Sequence, residues 1–154
     1  MLTYNVANGH FGHMSHTMIT EIRLPPKTAT PYAMVLDDEE AICRFFTQAL
    51  AKLGVESSTY QESGPAFVAL VQRPPDILFL DVALKRSNAI DVMHCLAERR
   101  YTGTIQLMSG GSLELLNAVQ CIGAHEGLVL PPPLQKPFRA EAIRDAIASA
   151  GLGV

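Results

Sequence analysis

The sequence predicts an α/β domain: a doubly wound sheet of five parallel strands with helices on both faces. Three observations carry that expectation. From Tyr32 onward, short apolar runs alternate five times with segments of helical period. Strand–helix units repeated in this way join parallel strands through right-handed crossovers. Two of the runs, YAMVL and DILFL, are apolar almost throughout, as strands covered on both faces must be. Punctuation falls between the units, with Gly54 after the first helical segment and Pro74–Pro75 after the second, where a helix has to stop.

Taken in order, YAMVL (32–36) is a buried strand by its length and flanks. DDEEAICRFFTQALAKLG follows, with Ile42, Phe45, Phe46, Ala49, Leu50 and Leu53 on one helical face. VESSTYQ is a second, more polar strand, suited to a sheet edge. SGPAFVALVQRPP opens with Ser63 as a cap and Pro65 in the first turn. DILFL is strand three and AIDVMHCLAERR helix three. TIQLM is strand four, and a helix from about Leu113 to Glu126 follows, its inner stripe marked by Leu113, Leu116, Val119, Gln120 and Gly123. PLQ is a weak fifth strand and FRAEAIRDAIASAG the last helix.

A chain of 154 residues, 48% hydrophobic, is long enough to bury the core of one such domain. No apolar run reaches the roughly 18 residues that read as a membrane span, and the N-terminus lacks a charged-then-apolar signal pattern. A cytoplasmic protein is expected, with no membrane partner. The formal charge of −3 and the lack of a basic stripe argue against nucleic-acid binding. Cys43, Cys95 and Cys121 are odd in number and set within apolar segments, so they read as buried reduced thiols. Residues 1–31 show no sustained period and form a mobile or loosely docked N-terminal extension. His10, His13 and His16 recur there every three residues. Gly9 and Gly12 make a helix poor, and neither Cys nor acid completes a metal set. The domain proper is expected over 32–150, with 151–154 read as a short tail and no output domain expected.

In sheets of this kind, ligands bind beyond the carboxyl ends of the strands. Strand one runs out into Asp37–Asp38, strand three into Asp81, strand four into Ser109–Gly110–Gly111, and strand five into Lys136–Pro137–Phe138. Three acids held together resist ionising unless a cation sits among them. A few hard oxygen ligands favour Mg²⁺, which keeps several waters and shares phosphate oxygens. A lysine opposite supplies a point charge for a phosphoryl group, and a serine hydroxyl can donate to it. A carboxylate that accepts a phosphoryl group fits all five residues. Glu39 and Glu40 read as first-turn acids favoured by the helix dipole.

This order of motifs, DD, D, S-G and K-P-F at successive strand ends, resembles the receiver domain of bacterial two-component response regulators. The resemblance covers roughly residues 32–150. The wording of SNAIDVMHCLAERRYTGTIQLMSG and GLVLPPPLQKPF is most similar to receivers attached to cyclic-di-GMP phosphodiesterase domains. It implies a flavodoxin-like fold with strand order 2-1-3-4-5. Asp81 is then the phosphoacceptor. Asp37, Asp38, Asp81 and the backbone carbonyl of Ala83 are ligands of Mg²⁺. Ser109 and Lys136 contact the acyl phosphate, and the Lys136–Pro137 bond is cis. The implied partners are a sensor histidine kinase or a phosphotransfer protein, a downstream protein, and a second copy of the chain.

The sequence departs from the pattern twice. The loop after the phosphoacceptor usually carries a proline four residues on and a glycine eight on. Lys85 and Ala89 stand there, which implies a less constrained, more basic loop. Three residues before the lysine, where many receivers have a switching aromatic, stands Pro133. Proline has no such rotamer and suits only an edge strand, so output has to pass through the Ser109 loop and helix four. Ala83 stands where a phosphate-ester hydrolase of this type would need a second acid, so no enzyme acting on a metabolite is expected. The competing reading is a receiver-like adaptor that binds a partner without being phosphorylated.

Overall fold

The computed structural model describes residues 2–3, 19–24, 30–111 and 113–153. Ten elements alternate from Tyr32 onward. They are β1 (Tyr32–Leu36), α1 (Glu40–Lys52), β2 (Glu56–Tyr60), α2 (Ser63–Gln72), β3 (Ile77–Asp81), α3 (Ala89–Glu98), β4 (Thr104–Ser109), α4 (Leu113–His125), β5 (Leu134–Gln135) and α5 (Ala140–Ser149). The strands form one parallel sheet in the order β2-β1-β3-β4-β5, the doubly wound architecture expected.

Strand alternation divides the interior into two cores. Met34, Leu36, Leu78, Leu80, Ile105 and Leu107 point to the side packed by α2, α3 and α4. Ala33, Val35, Ile77, Phe79 and Met108 point to the side packed by α1 and α5. Both sets are essentially inaccessible to water. Continuous apolar runs therefore serve both faces with a period of two. On the second face, Phe46 lies 4.7 Å from Phe79 and 5.8 Å from Phe138, ring centre to ring centre. This fixes the KPF segment against α1.

β5 is the weakest element. A lone parallel bridge joins Thr104 to Val129, and regular pairing resumes only at Met108–Leu134 and Ser109–Gln135. Pro131, Pro132 and Pro133 intervene, and proline has no N–H for a ladder. The gap is bridged by a side chain: Gln106 Nε2 donates to the Pro132 carbonyl at 2.8 Å. Pro133 thus lies just before the edge strand rather than within it, in the gap that its missing N–H leaves unpaired.

Several local expectations need correction. Ser63 does not cap α2; Glu62 holds the cap position without a side-chain bond, and Ser63 N–H donates to Ser87 Oγ at 3.1 Å. The effective cap is Asn88 on α3, whose Oδ1 accepts from Ile90 N–H at 2.9 Å. Leu113, placed on the inner stripe of α4, is 68% exposed and borders an opening beside Ser109 instead of packing into the core. Of the three free thiols only Cys43 is buried; Cys95 is half-buried and Cys121 exposed. An apolar neighbourhood in sequence is not a buried position when the helix turns that residue outward.

Parts of the N-terminal segment contact the domain. Ile22 is buried in the first core, and its N–H donates to the Arg99 carbonyl at 3.0 Å, just past α3. Leu2–Thr3 pairs antiparallel with Ile19–Thr20. His10, His13 and His16 lie outside the described residues. Among the described residues, no helix is long and apolar enough to cross a membrane.

Candidate functional site at the carboxyl edge of the sheet

β1, β3, β4 and β5 end side by side because the crossovers return every strand to the same edge. Their ends bring together Asp37, Asp38, Asp81, Ser109 and Lys136. Asp37, Asp38 and Asp81 each offer a carboxylate oxygen within 4.8 Å of the other two. Asp37 and Asp81 are buried, Asp38 half-buried. Lys136 extends over them: Nζ lies 2.6 Å from Asp37 Oδ2, 3.5 Å from Asp81 Oδ2 and 3.7 Å from Glu39 Oε1. Ser109, also buried, closes the site from β4. Its Oγ accepts from Gly111 N–H at 3.4 Å, and its carbonyl accepts from Lys136 N–H at 2.7 Å. The Lys136–Pro137 bond is cis, as expected.

Backbone amides hold each carboxylate in place. Asp37 Oδ1 accepts from Glu39 N–H at 2.9 Å, Asp81 Oδ1 from Ala83 N–H at 3.1 Å, and Asp38 Oδ2 from Lys85 N–H at 2.8 Å. The first two bonds span only two residues; the third reaches across the site. The β3–α3 loop, expected to be loosely constrained, is therefore tied by Lys85 N–H, by Ser87 Oγ and by an exposed Arg86–Glu62 ion pair at 3.2 Å.

Burial pushes the Asp81 carboxyl above the ordinary carboxylate range, and the charges of Asp37 and Asp38 add to the rise. The Ala83 N–H and Lys136 oppose it. Burial also works against the Lys136 ammonium. The hydrogen bond from Lys136 to Asp37 and the fields of Asp81, Asp37 and Glu39 outweigh that, so its pKa is held above the ordinary lysine value. Burial, then the Asp37 charge, raise the Cys43 thiol; it stays protonated and donates to the Asp37 carbonyl at 3.3 Å. Three carboxylates facing one ammonium leave a surplus of negative charge. Hard oxygen donors, few and convergent, suit Mg²⁺.

Two openings flank the site. One of about 510 Å³ lies beside Lys136, between Ile42, Phe45, Pro137 and Phe138. The other, about 200 Å³, adjoins Ser109 and is walled by Leu113, Leu116, Pro133 and Leu134. Among the described residues no aromatic ring lines this second space.

Sequence reasoning missed Glu39 as a neighbour of Lys136; it occupies the cap position of α1 rather than its first turn, where Glu40 sits. It also missed the Lys85 amide, since a backbone donor leaves no mark in a sequence. His94 and His125 are exposed and take no part.

A parallel five-stranded sheet with an acidic triad and one lysine beyond its strand ends defines the receiver class of the flavodoxin-like fold. The chain belongs to the response regulator receiver domain family of two-component signalling, whose model matches residues 33–148. Solved structures similar to it include a response regulator from Thermotoga maritima, at 19% identity over 82% of this chain and 100% of that one, TM-score 0.65. A response regulator receiver protein from Burkholderia phymatum matches at 24% identity over 81% and 98%, TM-score 0.61. The Vibrio cholerae chemotaxis protein CheY4 matches at 17% identity over 79% and 99%, TM-score 0.67. No curated protein matches the chain.

Proposed function

We propose that this receiver accepts a phosphoryl group on Asp81 from a phosphohistidine of a sensor kinase or phosphotransfer protein. The observation that carries the reading is the position of Asp81: buried at the end of β3, one oxygen on the Ala83 amide, the other 3.5 Å from Lys136 Nζ. An oxygen lone pair of Asp81 attacks phosphorus, the P–N bond to the partner's imidazole breaks, and the imidazole leaves with that electron pair. An acyl phosphate remains on Asp81. Asp37, Asp38, Asp81 and, by family resemblance, the Ala83 carbonyl would hold Mg²⁺. When bound, the ion would neutralise the surplus negative charge and share phosphoryl oxygens. Lys136 carries three N–H donors, enough to keep Asp37 while turning another toward the phosphoryl group. On this reading Ser109 Oγ, which accepts from Gly111 N–H, would donate its proton to a phosphoryl oxygen and draw the Gly110–Gly111 loop with it.

The added charge, close to two negative units, would change how the Ser109 loop and α4 meet a downstream protein or a second copy of the chain. On this reading the domain catalyses only its own phosphorylation and hydrolysis. The decisive experiment is intact mass after incubation with acetyl phosphate, with and without Mg²⁺, alongside Asp81→Ala. One phosphoryl group gained only with metal, and only in the wild type, is expected. No gain under either condition would favour a phosphorylation-independent adaptor.

A further inference from the structure

The three acids differ in how they are held. Asp37 is fixed by Glu39 N–H and by Lys136, and Asp81 by Ala83 N–H and Lys136. Asp38 is the least buried of the three, and it accepts a bond from the far side of the site: Lys85 N–H to Oδ2, 2.8 Å, across 47 residues of sequence. Repulsion from two buried carboxylates pushes Asp38 toward solvent. A half-buried aspartate is free to follow unless something retains it.

We propose that the backbone amide of Lys85 is a positioning group for Asp38, holding one carboxylate oxygen so that the other stays directed into the cation site. The inference rests on the reading of Asp37, Asp38 and Asp81 as the Mg²⁺ ligands. The group at work is the amide, not the lysine side chain, which is exposed. Proline, the usual residue at this place in the receiver pattern, has no N–H and cannot make the bond. In this chain the loop and the metal site are therefore mechanically joined: ordering residues 83–87 orders Asp38, and the reverse. Groups that hydrogen-bond the ligands of a metal orient them, and their loss typically weakens metal binding by about 10- to 100-fold. Because this bond lies at the surface, the lower end applies.

The test is Mg²⁺ titration calorimetry of the full chain as wild type, Lys85→Ala and Lys85→Pro, with unfolding midpoints measured without metal. Lys85→Ala keeps the amide and should bind Mg²⁺ as the wild type does. Lys85→Pro should bind about tenfold more weakly. Equal binding by the proline variant, or weakening in the alanine variant alone, would overturn the proposal. If the proline variant does not fold, amide hydrogen exchange at Lys85 in the wild type decides. Protection that persists at saturating Mg²⁺ and disappears in Asp38→Ala is expected. Protection lost on adding Mg²⁺ would show that amide and metal compete for one oxygen, and would sink the idea. Failure of the wild type itself to bind Mg²⁺ would remove the proposed function and this role together; binding by the wild type with no proline effect removes only the latter.

Discussion

Replacing Lys136 by methionine tests the electrostatic account of the site most directly. Methionine keeps most of the side chain's length and apolar stem but deletes the ammonium. Asp37 then loses a 2.6 Å charge-assisted bond while staying wholly buried, and Asp81 loses a counter-charge at 3.5 Å. Breaking a buried ion pair from one side costs about 3–5 kcal/mol, because the remaining charge is uncompensated. Two features favour the lower end: Asp37 keeps the Glu39 amide, and the lysine side chain is 13% exposed rather than fully buried. A loss of about 3 kcal/mol in metal-free protein is therefore expected, or roughly 6–12 °C in Tm for a chain of this size. The deficit should shrink as pH is lowered from neutral toward the ordinary carboxylate range, because Asp81, already raised and now without the Lys136 charge that opposes the rise, can bind a proton in the native state. It should also shrink in Mg²⁺: without the competing ammonium on Asp37 and Asp81 the variant should bind the cation more tightly than the wild type and gain more by mass action. Urea unfolding at both pH values, with and without Mg²⁺, measures all three. A variant as stable as wild type in the metal-free state, or one equally destabilised at both pH values, would refute the reasoning.

Asp81 has a raised folded-state pKa, so the native state holds its proton more tightly than the unfolded chain does. Its ionisation therefore costs stability, with the loss growing as pH rises from the ordinary carboxylate range through the raised value. Asp81→Asn should raise the metal-free unfolding midpoint near neutral pH and show little advantage below the ordinary range; a pH series of thermal unfolding curves tests the sign. Asn88→Ala should cost about 1 kcal/mol through loss of the α3 cap, whereas Ser63→Ala should stay within roughly 0.5 kcal/mol, since its hydroxyl does not cap α2; equal losses by denaturant unfolding would contradict the cap assignment. Tyr101 is buried, and its hydroxyl donates to the Pro75 carbonyl at 2.7 Å. Burial, with a smaller push from Asp76, holds its pKa far above the usual phenol range. Tyr101→Phe should cost about 1–1.5 kcal/mol, and no measurable change in the urea midpoint would mean that water replaces the bond.

The fold was legible because its signals are local. A run such as ILFL can be satisfied only between two layers of helices, and the fivefold alternation with helical segments fixes a parallel sheet. Once the strands are parallel, their carboxyl ends share an edge. Asp37, Asp38, Asp81, Ser109 and Lys136 had to meet there, although Lys136 and Asp37 are 99 residues apart. Chain position and strand direction alone thus determined which side chains form the site. The sequence did not determine how those side chains are held. Lys136 prefers Asp37 to Asp81 by nearly an ångström, Glu39 leans toward the same ammonium, and Gln106 bridges the proline gap in β5. The Lys85 amide reaches Asp38. Each of these depends on distances between elements remote in sequence, or on a backbone N–H that every residue except proline carries. Such groups have no sequence signature, and only the packed chain decides which of them find a partner.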